Sequence, residues 1–146
     1  MKCLFITCLL FVASIFSCDE GEIACSDLLI EVGQIETENE CMLLNVDLRD
    51  NYVVIRNQTD FAAVVNATCQ TAIDFSEFDL LIGRIGLSNG LISIEYEYTR
   101  PCDTNNPQLD IIFNLNETTV APDVVYNALI PKLRASESLT VNLISN

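Results

Sequence analysis

The chain contains no histidine and no tryptophan, and only seven lysines and arginines against 21 aspartates and glutamates. Without histidine there is no Ser-His or Cys-His nucleophile pair, no imidazole general base and no metal site that needs an imidazole ligand. Without tryptophan the strongest sugar-stacking side chain is missing, which leaves Tyr52, Tyr96, Tyr98 and Tyr126. A formal charge of −14 at pH 7 argues against nucleic acid as a partner and against an electrostatic hold on anionic lipid head groups. Cationic surfaces and divalent ions remain as charged partners. These absences point away from an enzyme.

What is present begins with an apolar segment at residues 4–16, behind Lys2. It is 13 residues long, whereas a helix crossing a bilayer takes about 20. It has the length of a signal-peptide core. An ordinary signal peptidase needs small residues one and three places before its cut, and Ile15 fails that test for a cut after Ser17. A lipoprotein peptidase takes an aliphatic residue there and a small one beside the cysteine. Ile15 and Ser17 supply both, with the bulky Phe16 between them. Residues 1–17 therefore read as a lipoprotein signal peptide that exposes Cys18 as a lipidated, palmitate-bearing N-terminus; an ordinary secretory leader is the alternative. Cys3 and Cys8 leave with the leader. Residues 18–27 read as an acidic tether, and Asp19-Glu20-Gly21-Glu22 resembles the surface-export signals of Bacteroidetes lipoproteins. The expected location is the outer membrane, lipid-anchored, on the cell surface or on the periplasmic face.

Four more cysteines follow: Cys25, Cys41, Cys69 and Cys102. In an oxidising compartment an even number reads as two disulfides. Spacing leaves all three connectivities open; Cys25–Cys41 with Cys69–Cys102 would close one local loop and tie two others. No C-x-x-C motif suggests redox work, and no close cysteine pairs suggest zinc.

Residues 28–146 are expected to form a single β-rich domain. Residues 28–35, 42–48 and 52–56 read as strands. Thr59 can cap a short helix that sets Phe61, Val64 and Val65 on one face and ends near Thr68-Cys69. Residues 79–86 and 91–98 then look like the two arms of a hairpin, with Asn89-Gly90 as a turn of positive φ. In the second arm Ile92, Ile94, Tyr96 and Tyr98 should face one way, and Ser93, Glu95 and Glu97 the other. Leu109, Ile111, Phe113 and Leu115 alternate next, then Val124, Tyr126, Ala128 and Ile130, and finally Leu139, Val141 and Leu143. The expected fold class is α+β, mainly antiparallel β, with six to eight strands in a sandwich-like arrangement and one short helix.

The order between Tyr52 and Leu133 resembles a known pattern: Thr59-Asp60-Phe61 opening a helix, Ile73-Asp74-Phe75, an apolar strand and a glycine-bearing turn at Gly86 and Gly90. Two more strands, Ala121-Pro122 and Asn127-Ala128-Leu129-Ile130-Pro131-Lys132 complete it. It is similar to the C-terminal domain of PrcB-type lipoproteins, which help stabilise a cell-surface protease complex, and to other small Bacteroidetes lipoproteins. This chain carries Asn89-Gly90-Leu91 where that family has Gly-Gly-Tyr. The resemblance implies a non-enzymatic accessory module.

Individual residues suggest weaker alternatives. Asp103, Asn105, Asn106 and Asp110 offer oxygen ligands around one loop, without EF-hand spacing and with Pro107 interrupting them. Glu95 and Glu97 share a strand face, as solvated charges on a sheet do, although paired carboxylates also serve glycosidases. Lys132 and Arg134 offer two charges to an acidic partner, or simply finish a strand. Tyr96 and Tyr98 are the candidate ligand-binding aromatics for a small molecule or glycan. Asn57-Gln58-Thr59, Asn66-Ala67-Thr68 and Asn116-Glu117-Thr118 are N-glycosylation sequons, relevant only if the host is eukaryotic and the protein a secreted, disulfide-stapled glycoprotein. No catalytic residue, cofactor or metal is expected. The expected role is an anchored accessory module that binds or stabilises another envelope protein.

Overall fold

A computed structural model describes residues 28–30, 33, 44–66, 72–101 and 106–146. The expectations for the leader, the tether, Cys18, Cys25, Cys41, Cys69 and Cys102 lie outside those residues. Within them are seven strands and one helix: β1 (Leu28–Ile30), β2 (Asn51–Ile55), α1 (Gln58–Val64), β3 (Phe78–Gly86), β4 (Leu91–Arg100), β5 (Gln108–Leu115), β6 (Asp123–Pro131) and β7 (Thr140–Ser145).

The strands form a four-stranded sheet in the order β1-β4-β5-β7 and a three-stranded sheet in the order β2-β3-β6. All pairings are antiparallel except β5 with β7, which is parallel. Alternation along β4, β5 and β6 explains the packing. Tyr98, Leu109, Ile111 and Phe113 from one sheet meet Leu81, Tyr126, Ala128 and Ile130 from the other in one shared core. Phe113 and Tyr126 touch edge to face across it, with ring centroids 5.6 Å apart.

β3 breaks the alternation for a physical reason. Leu80, Leu81 and Ile82 are all fully buried, because Leu81 faces the shared core while Leu80 and Ile82 face a second cluster. That cluster joins them to Ile55 and to Phe61 and Val65 of the helical segment. An unbroken apolar run is what a strand covered on both faces requires, and each such side chain contributes roughly 1.5–3 kcal/mol.

Several sequence expectations need correction. Residues 79–86 and 91–98 are not hairpin arms: β3 pairs with β2 and β6, whereas β4 pairs with β1 and β5. Asn89-Gly90 instead carries the chain from one sheet to the other, and neither residue has positive φ. A Cβ at Gly90 would crowd the side-chain ends of Thr118 and Asn116, which would have to shift. Ile92 does not face inward. A register shift between Leu91 and Ser93 leaves it 67% exposed and sends Leu91 to the core instead. No strand covers 44–48; Leu44 makes only an isolated bridge to Val65. The helix is capped by Asn57, whose side chain accepts from Asp60 N–H, and not by Thr59, and it ends at Val64 rather than near Thr68-Cys69.

Candidate functional site

The strand registers define two ends of the molecule. At one end β3 finishes at Gly86, paired with Asp123 at the start of β6, while Arg84 pairs with Asn51 at the start of β2. The connections 87–90 and 116–122 lie side by side there, through Leu87 N–H to Pro122 O at 2.9 Å and Asn116 N–H to Gly90 O at 2.8 Å. Together with residues 49 and 50 they wall an open cleft of about 430 Å³.

The cleft is lined by Arg49, Asp50, Gly86, Leu87, Ala121, Pro122 and Asp123. Leu87, Ala121 and Pro122 supply the apolar part of the lining, and Arg49, Asp50 and Asp123 the charged part. Arg84 and Arg49 both donate to the same oxygen, Asp123 Oδ2; the Arg49 bond is 3.4 Å long. Arg49 is 64% exposed, so Asp123 is neutralised by Arg84 while Arg49 stays largely in water. Asp50 sits in the left-handed region at φ 56°, a conformation aspartate tolerates better than most residues. Its Oδ1 accepts from Gly86 N–H at 3.4 Å. A Cβ on Gly86 would meet nothing within 4 Å, so the cleft mouth beside it is open space. No single stretch of sequence signals this site, because its residues are contributed by three separate connections.

The opposite end carries two buried carboxylates. Asp79, fully buried, accepts from Lys132 Nζ at 2.6 Å and from Leu133 N–H at 3.1 Å, with Arg56 3.8 Å away. Glu137 is bridged by Arg100 at 3.2 Å and by Arg134 at 3.7 Å. Lys132 is therefore committed to Asp79, while Arg134 donates its backbone N–H to Glu137 at 2.8 Å and keeps its guanidinium largely in water. Among the described residues all six cations pair in twos on three carboxylates: Asp123, Asp79 and Glu137.

The ligand-binding candidates face inward. Tyr98 is fully buried and its hydroxyl accepts from Arg100 Nη2 at 3.4 Å; burial raises its pKa above the ordinary phenol value. Tyr96 is half-buried, and burial pushes its pKa to about 12, against a hydrogen bond with the Asn127 backbone that pulls the other way. Neither forms an exposed stacking platform. Glu95 and Glu97 are exposed on the outer face of the four-stranded sheet, where Glu95 accepts from Asn114 Nδ2 at 2.6 Å and Glu97 lies opposite Asp110. Asp110 in turn accepts from Gln108 and Asn142 side chains, and Asn106 Oδ1 accepts from Ser138; Asp103 and Asn105 lie outside the described residues. No group of three or more acidic, cysteine or histidine side chains gathers as for a metal among the described residues. Asn57 and Asn116, two of the sequon asparagines, spend their side chains on the helix cap and on Thr118.

No protein-family model matches the chain, and neither a curated protein nor a solved structure matches it.

Proposed function

We propose that this protein is a lipid-anchored envelope or cell-surface module without catalytic activity, which binds or stabilises another envelope protein through the end that carries the cleft. The observation behind this reading is the cleft itself. It combines apolar lining from Leu87, Ala121 and Pro122 with Arg49, a largely exposed guanidinium that shares Asp123 with Arg84. Its frame is two strand ends cross-linked by backbone hydrogen bonds, so the surface is preformed and binding orders little new chain. The leader and Cys18 supply the anchor, and the likeness to PrcB-type lipoproteins supports an accessory role. The outer membrane is the proposed location.

The test is affinity capture of the lipidated, detergent-solubilised protein after mild cross-linking in its own cells, beside Cys18→Ala and Gly86→Phe. The expected result is one envelope protein recovered at near-equal amount, lost with Cys18→Ala and strongly reduced with Gly86→Phe, which fills the cleft from its open side. Recovery of the protein alone, or equal recovery with Gly86→Phe, would refute the reading. The cleft is also of a size that takes a small ligand. A ligand-dependent rise in Tm that Gly86→Phe abolishes would favour that second reading.

A further inference from the structure

The chain joins the domain at the end remote from the cleft. Leu28, the first residue of β1, lies opposite Arg100, the last residue of β4, and Ile30 lies opposite Tyr98. Gly33 then bridges Leu129 near the end of β6. The cleft sits where β6 begins, at Asp123. The nine residues of β6 separate the two ends by roughly 30 Å at the usual strand rise.

From this placement we propose that the end bearing Arg100, Glu137, Asp79 and Lys132 faces the bilayer that holds Cys18, and that the cleft is presented away from that bilayer. The inference rests on the lipid anchor of the proposed function. The ten residues 18–27 reach about 35 Å when fully extended, and a flexible chain of that length averages only about 17 Å end to end. Turning the cleft toward the lipid would require the tether to run back along the whole domain at nearly full extension. Presenting the Arg100 end requires no extension.

The partner that reaches the cleft is therefore one that projects beyond the layer of head groups.

The absence of tryptophan makes a direct test available. Ser136→Trp places one reporter in the exposed turn at the Arg100 end, and Val120→Trp places one beside the cleft, at a position already 66% exposed. Each lipidated full-length variant is reconstituted into phosphatidylethanolamine–phosphatidylglycerol vesicles with or without a nitroxide-labelled head group. Flotation with the vesicles, lost on Cys18→Ala, is read first. The expected result is strong quenching of the Ser136→Trp variant and little of the Val120→Trp variant. Equal quenching, or stronger quenching at position 120, would overturn the orientation while leaving the anchor intact. Failure of the lipid-modified protein to float would overturn the anchor, and the orientation with it.

Discussion

Gly83 is the position where the packing makes its sharpest demand. It lies in the middle of β3, with Tyr52 of β2 on one side and Tyr126 of β6 on the other. The Tyr126 ring lies across it. A Cβ at position 83 would collide with Cζ and Oη of that ring and would sit 2.7 Å from Asn51 O. The ring has nowhere to retreat: it packs edge to face on Phe113 and is 1% exposed. Its hydroxyl donates to Asn51 O at 3.5 Å, the outer limit of a hydrogen bond.

Gly83→Ala should therefore destabilise the domain. Overpacking of a filled core costs about 1–3 kcal/mol, while the stiffer unfolded chain returns about 0.4–1 kcal/mol. The net expectation is about 1–2 kcal/mol, read as a lower urea midpoint at unchanged slope. Gly86→Ala, in the same strand but facing open space, should stay within about 0.5 kcal/mol of the parent. A double-mutant cycle isolates the cause. In a Tyr126→Leu background both ring contacts vanish and only Asn51 O remains, so the cost of Gly83→Ala should fall by about half or more. A Gly83→Ala protein as stable as the parent would refute the argument, and so would the same cost in both backgrounds.

Two further outcomes follow from the local geometry. Asn57→Ala should cost about 1 kcal/mol, because it removes the acceptor for Asp60 N–H at the start of α1; Thr59→Ala should be close to neutral, and the reverse order in urea titrations would restore Thr59 as the cap. Burial, followed by the neighbouring Tyr52, pushes the Tyr126 phenol to about 12, and burial does the same for Tyr96. In the unfolded chain both phenols ionise near pH 10, so above pH 10 the unfolded state binds fewer protons than the folded one. Stability is then fully present below pH 10 and is lost as pH rises towards 12. Phenolate absorbance should show slow tyrosines released together with the loss of circular dichroism; all four titrating smoothly near 10 in the folded protein would contradict it.

Where the sequence was legible, one face of a strand was apolar and the other polar. Leu109, Ile111 and Phe113 announce their inward face because Asp110 and Asn114 alternate with them; Tyr126, Ala128 and Ile130 share theirs, although Val125 and Leu129 behind them pack in the second cluster. The run Leu80-Leu81-Ile82 identifies a buried strand, but not that a helix covers its second face, since periodicity is silent about what lies outside. Asn89-Gly90 misleads because a turn dipeptide reports a change of direction, not which strand comes next to which. The pairings that separate β3 from β4 are made with residues 37 or more positions away, at β6 and at β1. Ile92 misleads for a smaller reason: one irregular residue between Leu91 and Ser93 exchanges the faces before regular alternation resumes at Ile94. The cleft was invisible for the same reason as the pairing, as its walls meet only when the sheets do.

The charges carry the same lesson further. In a linear reading Lys132 and Arg134 are two spare cations on an acidic chain, suited to an acidic partner. In the fold they pair with Asp79 and Glu137, both almost wholly buried, where a lone carboxylate would be costly to desolvate. Each of these two is served by a second cation as well, Arg56 and Arg100. Asp123 is different. It is about one-third exposed, needs far less compensation, and still draws two arginines. An excess of positive groups around a carboxylate one-third exposed stabilises little, since exposed pairs contribute about 0–1 kcal/mol. Burial of Asp79 and Glu137 accounts for Lys132 and Arg100, and Arg84 serves Asp123, whereas Arg49 and Arg134 keep their guanidiniums largely in water. Of these two, Arg49 stands at the cleft.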